Sequence, residues 1–176
     1  QPAASDAPAI PASRCSRVII CLVLLILVPF AVYLVLGAVS PPTDFDVREY
    51  HLQGPKEWFQ QGQVTFLRHN VYTSFPFLSE MLCLTGMVFA GDWWRGALVG
   101  QVVLASFQLL SALSVFAIAR RWISSEVAWL AALIHLTTPW TLRISLIAYA
   151  EGSLTFYLTA SAMTAMLTFA GNRRNH

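Results

Sequence analysis

Residues 18 to 39 read "VIICLVLLILVPFAVYLVLGAV". Twenty-two residues pass without a charge. A run longer than about 18 apolar residues is a transmembrane-helix candidate. It is also longer than a signal-peptide core and lacks a small-residue cleavage site. The expectation is a retained signal-anchor helix, with Pro29 as a place for a kink. Two further uncharged stretches of spanning length follow, Gly96 to Ala119 and Gly152 to Asn172. A fourth, Val127 to Leu142, continues past Arg143. Only 11% of the 176 residues are charged, against about 25% in soluble domains. The expected class is all-α: a multi-pass bundle of about four spanning helices, with interfacial helices in the first outer loop.

Several functions are excluded at this level. Net charge is +2 and no basic patch interleaves with aromatics, so nucleic acid is not an expected partner. Cys15, Cys21 and Cys83 form no CxxC pair, which argues against a disulfide framework or a zinc site. No glycine-rich phosphate loop, HExxH or nucleophile elbow is present. No nucleotide cofactor is expected.

Arginine pairs set the topology. Arg14 and Arg17, Arg120 and Arg121, and Arg173 and Arg174 flank the apolar segments. Short basic loops stay in the cytoplasm. All three pairs lie inside only if the segment from about 71 to 90 does not cross. That segment carries Pro76 and Glu80, and a carboxylate at the bilayer centre costs about 2.5–3.5 kcal/mol. It is therefore expected as an interfacial or re-entrant helix on the outer face. The expected crossings are 18–39, 97–119, 127–143 and 152–170. Residues 41–95 form the outer loop, and residues 1–17 a disordered, Ala- and Pro-rich cytoplasmic tail. Gly62 is expected to cap a short helix that has Pro55 in its first turn. Gly96 and Gly100 suit close helix packing, and Gln101 and Gln108 share a face that should turn inward. The first residue is Gln1, which suggests a piece of a longer reading frame or a processed product.

The outer loop begins with "DFDVREYHL", residues 44–52. A carboxylate just outside a membrane can act as general base on an incoming hydroxyl or amine. Asp46 is the candidate. On an α-helix Tyr50 would lie beside it at i+4, and His51 would offer a hydrogen bond to substrate. Asp44 falls outside this spacing and reads as a loop charge. Glu151 is the second candidate acid, at a helix boundary, with Arg143 two turns earlier as its expected partner and Tyr149 as a boundary aromatic. Lys56, Arg68 and His69 are candidates for holding a phosphate.

The order Asp46-x3-Tyr50-His51-Leu52, Pro55-Lys56 and Gly62 resembles the first outer loop of GT-C fold membrane glycosyltransferases. "HNVYTSFPFLSEML" looks like the helix that follows there, and "ARRWISSEVAWLAALIHLTTPWTLRISLIAYAEG" like the next inner loop, helix and second acidic motif. The groups most similar are bacterial relatives of protein O-mannosyltransferases and lipid A aminoarabinose transferases. The resemblance covers residues 18 to about 170 and rests on order and spacing together.

It implies an inverting hexosyl or pentosyl transfer from a polyprenyl-phosphate donor to a lipid, glycan or protein acceptor. The reaction would take place on the outer face of the bacterial inner membrane, among membrane lipids. Asp46 would be the base and Glu151 the second-loop acid. A divalent cation is the one cofactor left open. Some members carry Lys before the proline of the second helix; here Phe75 precedes Pro76, so Lys56 or Arg68 would stand in. The chain matches the N-terminal portion of such enzymes, expected to be inactive alone. The competing readings are a transporter or channel subunit, with Glu80 and Arg143 lining a polar path, and a non-catalytic membrane scaffold.

Overall fold

The computed structural model describes residues 14–172. Expectations for the tail before residue 14, and for Arg173 and Arg174, lie outside the described residues. Everything regular in the described chain is helical. The helices are α1 (Arg14–Ala38), α2 (Gln53–Gln61), α3 (Glu80–Ala90), α4 (Trp93–Trp122), α5 (Ser125–Thr137), α6 (Pro139–Ser145) and α7 (Glu151–Asn172). A π-helical turn, Val47–His51, precedes α2, and a 3-10 turn, Val71–Ser74, precedes α3.

Helix ends follow local chemistry. Asp92 starts α4 by accepting from the Arg95 amide at 2.7 Å, and Ser124 starts α5 by accepting from the Val127 amide at 3.2 Å. Each satisfies an amide that the first helical turn leaves free. Gly62 closes α2 at φ 68°, the left-handed cap expected of it. Pro29 lies inside α1, which continues past it.

Among the described residues, three helices are long and apolar enough to cross a membrane: Arg17–Ala38, Trp93–Trp122 and Glu151–Ala170. The expected continuous crossing at 127–143 is instead two helices. The backbone turns extended at Thr138 and restarts helical at Pro139. The residue before a proline is pushed out of the helical region by the pyrrolidine ring, so the break is local and steric.

The α4 helix is the hub. Side-chain contacts give the direction of each neighbour. Leu34 and Ala38 pack on Ala105, and the Gln101 amide donates to the Ala38 and Ser40 carbonyls at 3.3 and 3.2 Å. This sets α1 antiparallel to α4. Phe116 meets Trp129 and Gln108 meets His135, so α5 is antiparallel too. Phe107 meets Phe156 and Ser111 meets Thr159, so α7 runs parallel to α4. Gln101 and Gln108 are buried as their shared face predicted.

The segment from 71 to 91 departs in detail from the single helix expected. Pro76 separates the 3-10 turn from α3, and Glu80 falls in the first turn of α3 rather than mid-helix. A carboxylate is favourable there against the helix dipole. α3 packs antiparallel on the start of α4. Gly86 and Gly96 allow this: a Cβ on Gly96 would overlap the Met87 backbone, and one on Gly86 would sit 2.7 Å from the Gly96 carbonyl oxygen. α1 ends level with Gln101, so the first two turns of α4, about 12 Å, stand clear of the layer that α1 spans. Together with α3 they build a helical hairpin beyond the end of α1. Gly96→Ala is therefore expected to separate the hairpin and lower stability by about 1–3 kcal/mol. Thermal unfolding in detergent measures this, and an unchanged midpoint would refute the close packing.

Candidate functional site

At the end of the bundle where α1 stops, three segments converge. The first is Asp44 to His51. After Pro41 and Pro42 the chain re-enters helix and widens into a π-turn, closed by the Leu52 amide donating to the Val47 carbonyl at 2.9 Å. Such turns are rare and are often found at functional sites. Val47 is fully buried under the turn with Leu52, Met87, Ala97 and Ala148. This packing anchors the turn and leaves Arg48 and Glu49 exposed, while His51 is buried.

The second segment is α6 and the turn after it. Arg143 donates to Asp44 Oδ2 at 2.7 Å. The Tyr149 hydroxyl donates to Asp44 Oδ1 at 2.7 Å and lies 3.4 Å from Asp46 Oδ2. The expected Arg143–Glu151 pair is thus corrected. Helix α6 ends at Ser145 and α7 begins at Glu151, so the two residues do not share a helix, and Arg143 turns to Asp44. Asp44 is corrected as well: both its oxygens are engaged, and it is the clamp of the cluster rather than a loop charge. The Tyr149 hydroxyl is held above its ordinary pKa, by burial first and then by the Asp44 bond and the two aspartate charges. It therefore stays protonated, and a donor, across the physiological range.

The third segment is the start of α3. His51 Nδ1 and Glu80 Oε1 are 2.6 Å apart, in a buried pair. Next to it, the Ser79 and Ser153 hydroxyls are 2.6 Å apart, joining α3 to the first turn of α7.

A cavity of about 1160 Å³ opens beside this cluster. Asp46, Tyr50, Lys56, His69, Tyr72 and Trp93 are among the side chains that line it. Asp46 faces it with Tyr149 as its one side-chain hydrogen-bond neighbour among the described residues. Tyr50 stacks on Tyr72, ring centroids 4.9 Å apart. Its hydroxyl pKa is raised by burial first, then by the charges of Asp46 and Glu151. Glu151 itself is exposed at the first position of α7. Glu151 lies outside the cavity lining, 105 positions from Asp46 in sequence.

The basic candidates divide. The Lys56 ammonium sits 4.2 Å from the centre of the Trp93 ring, a cation–π contact tying α2 to α4. His69 bonds Glu57, with Nε2 3.0 Å from Oε2. Arg68 is exposed and outside the cavity lining. His51 is also outside the lining, because its ring turns inward to Glu80. Cys83 is buried, its thiol pushed up to about 12 by burial and by Glu80, which leaves it a packing residue. Among the described residues, no group of three or more His, Cys, Asp or Glu is placed to hold a metal ion.

Glu80, Asp44, Arg143 and Tyr149 gain structural roles at the site that their spacing did not suggest. One signal was available for Glu80. A carboxylate in an apolar stretch must find a partner if buried, although the partner found, His51, lies 29 positions away.

No family model matches this chain, and neither does any curated protein or solved structure.

Proposed function

We propose that this chain carries the outer-face site of an integral-membrane glycosyltransferase. Asp46 is its base and Glu151 its second acid. The donor is a sugar on a polyprenyl phosphate, and the acceptor is a hydroxyl or amine of a lipid, glycan or protein. Transfer inverts the anomeric centre, because one base-assisted attack displaces the phosphate directly. In this reading α1, α4, the broken α5–α6 pair and α7 give four passages of the bacterial inner membrane, with the N-terminus inside.

One observation carries the reading: Asp46, with a carboxylate oxygen uncommitted to any strong bond, faces a cavity of about 1160 Å³ at the helix ends. Glu151 stands exposed at the start of α7, outside the cavity lining, and its charge reaches Tyr50, which lines it. The transport reading draws less support. Glu80 and Arg143, its two residues, are committed to His51 and Asp44 rather than strung along the bundle.

The test is transfer of radiolabelled sugar from a polyprenyl-phosphate donor by membranes holding the chain in its full reading frame. Failure with hexosyl and pentosyl donors alike would remove the reading. Topology has its own check. A single cysteine at position 48 should react with an impermeant reagent from outside, and cysteines at 121 and 173 only after permeabilisation. Outside labelling of position 121 would overturn the four-passage arrangement.

A further inference from the structure

The His51–Glu80 pair is the one buried ionisable couple of the outer loop, and the proposed chemistry does not use it. Glu80 is 3% exposed, and its Oε2 has no hydrogen-bond partner. A carboxylate held so far from water is costly, and replacing such a pair by apolar side chains is often neutral or stabilising. Stability is therefore a poor reason for its presence. Its connections suggest another. His51 ends the π-turn whose first flank is Asp46. The His51 ring lies against the ring of Tyr149, centroids 5.0 Å apart, and against that of Tyr50, at 4.2 Å. Tyr149 in turn carries the bond to Asp44 and the contact to Asp46. On the other side, Ser79, the neighbour of Glu80, bonds Ser153, two positions beyond Glu151.

We infer that His51 and Glu80 are positioning residues that set the relative placement of Asp46 and Glu151. Glu80 fixes the imidazole through Nδ1, the imidazole is the surface on which Tyr149 is set, and Tyr149 holds the aspartates. The same end of α3 holds the first turn of α7. The couple is a rigid link between the two acid-bearing segments, and it touches no substrate. His51 is thereby moved from the substrate contacts expected of it to the support beneath them.

The experiment reads geometry and rate separately. Spin labels replace Glu49 and Leu154, both exposed, with Cys15 and Cys21 changed to Ser, and the full chain is held in lipid nanodiscs. Pulsed dipolar spectroscopy gives the 49–154 distance distribution. Two variants are compared with the parent: Glu80→Gln, which keeps an acceptor but not the charge, and the double variant His51→Phe with Glu80→Leu. The expected result is a graded broadening of the distribution, slight for Glu80→Gln and large for the double variant, at a thermal midpoint near that of the parent. In unlabelled protein, kcat should fall in the same order, to about 10²-fold for the double variant, with KM held within a few-fold. The kinetic arm rests on the proposed transfer reaction; the distance arm does not, so absence of transfer in the parent would count against that reaction only. A parental distance distribution in the double variant would overturn the inference. If the double variant does not fold, a parental distribution and kcat in Glu80→Gln would do so, and a broadened one would support it.

Discussion

Asp46→Asn is expected to lower sugar transfer by about 10²- to 10⁴-fold and to leave membrane insertion unchanged. In the proposed reaction the acceptor must lose a proton as it attacks the anomeric carbon, and a carboxamide cannot take it. The phosphate leaving group needs no strong acid, so one carboxylate suffices for the proton. The geometry singles out Asp46 over its neighbour. Asp44 has one oxygen bonded to Arg143 and the other to Tyr149, each at 2.7 Å. Asp46 has only a long 3.4 Å contact to the same phenol, and it faces the cavity. A carboxylate with both oxygens already accepting short bonds has less room to receive an incoming hydroxyl than one left open to the cavity. Folding should not suffer, since the Asp46 side chain forms no helix-capping bond. The measurement is initial transfer rate at matched expression. A loss below about tenfold would mean that Asp46 only lines the cavity.

The legibility of this chain divides by range. Helix class and the positions of α1, α4 and α7 follow from runs of uncharged residues, although α1 starts earlier, at Arg14, and α4 runs further at both ends, from Trp93 to Trp122. Nothing local competes with a backbone that must satisfy its own hydrogen bonds in lipid. The interruption of the 71–91 segment was also readable, because Pro76 breaks it and leaves α3 only from Glu80 to Ala90. Three features were not readable. Thr138–Pro139 breaks a helix whose apolar content looks continuous, since hydropathy does not register the steric demand of a proline ring. The π-turn at Val47–His51 replaces the α-helical spacing on which Tyr50 was set beside Asp46; both line the cavity, but the phenol in hydrogen-bond contact with Asp46 is Tyr149. Third, the Asp44–Arg143 and Asp44–Tyr149 bonds span 99 and 105 positions. No periodicity encodes a pairing of that range; it appears only when α6 is brought back against the end of α1. The cavity could be anticipated only in the sense that charged and aromatic side chains share one loop.

The Asp44–Tyr149 bond makes the second prediction, and it reverses the small effect that spacing alone assigned to Asp44. Asp44→Asn and Tyr149→Phe should each lower kcat by about 10²-fold with little change in KM. Neither residue needs to take the proton. Tyr149 donates its one hydroxyl hydrogen to Asp44 and keeps its oxygen 3.4 Å from Asp46, so Asp44 holds that hydroxyl in place while Arg143 balances its charge. Removing the Tyr149 hydroxyl frees Asp46 to swing. Removing the Asp44 charge loosens Tyr149 and leaves the half-exposed Arg143 guanidinium with a weaker acceptor. Because both substitutions break one link, their effects should not multiply. The double variant should remain near about 10²-fold, well short of the roughly 10⁴-fold expected of independent sites. A coupling of this kind separates a clamp from two unrelated defects. Full activity in Asp44→Asn would return Asp44 to the status of a solvated loop charge. Multiplying losses would assign it a part in the chemistry separate from Tyr149. Transfer rates for the two single variants and the double variant, measured at saturating acceptor with insertion checked by the position-48 label, distinguish these outcomes.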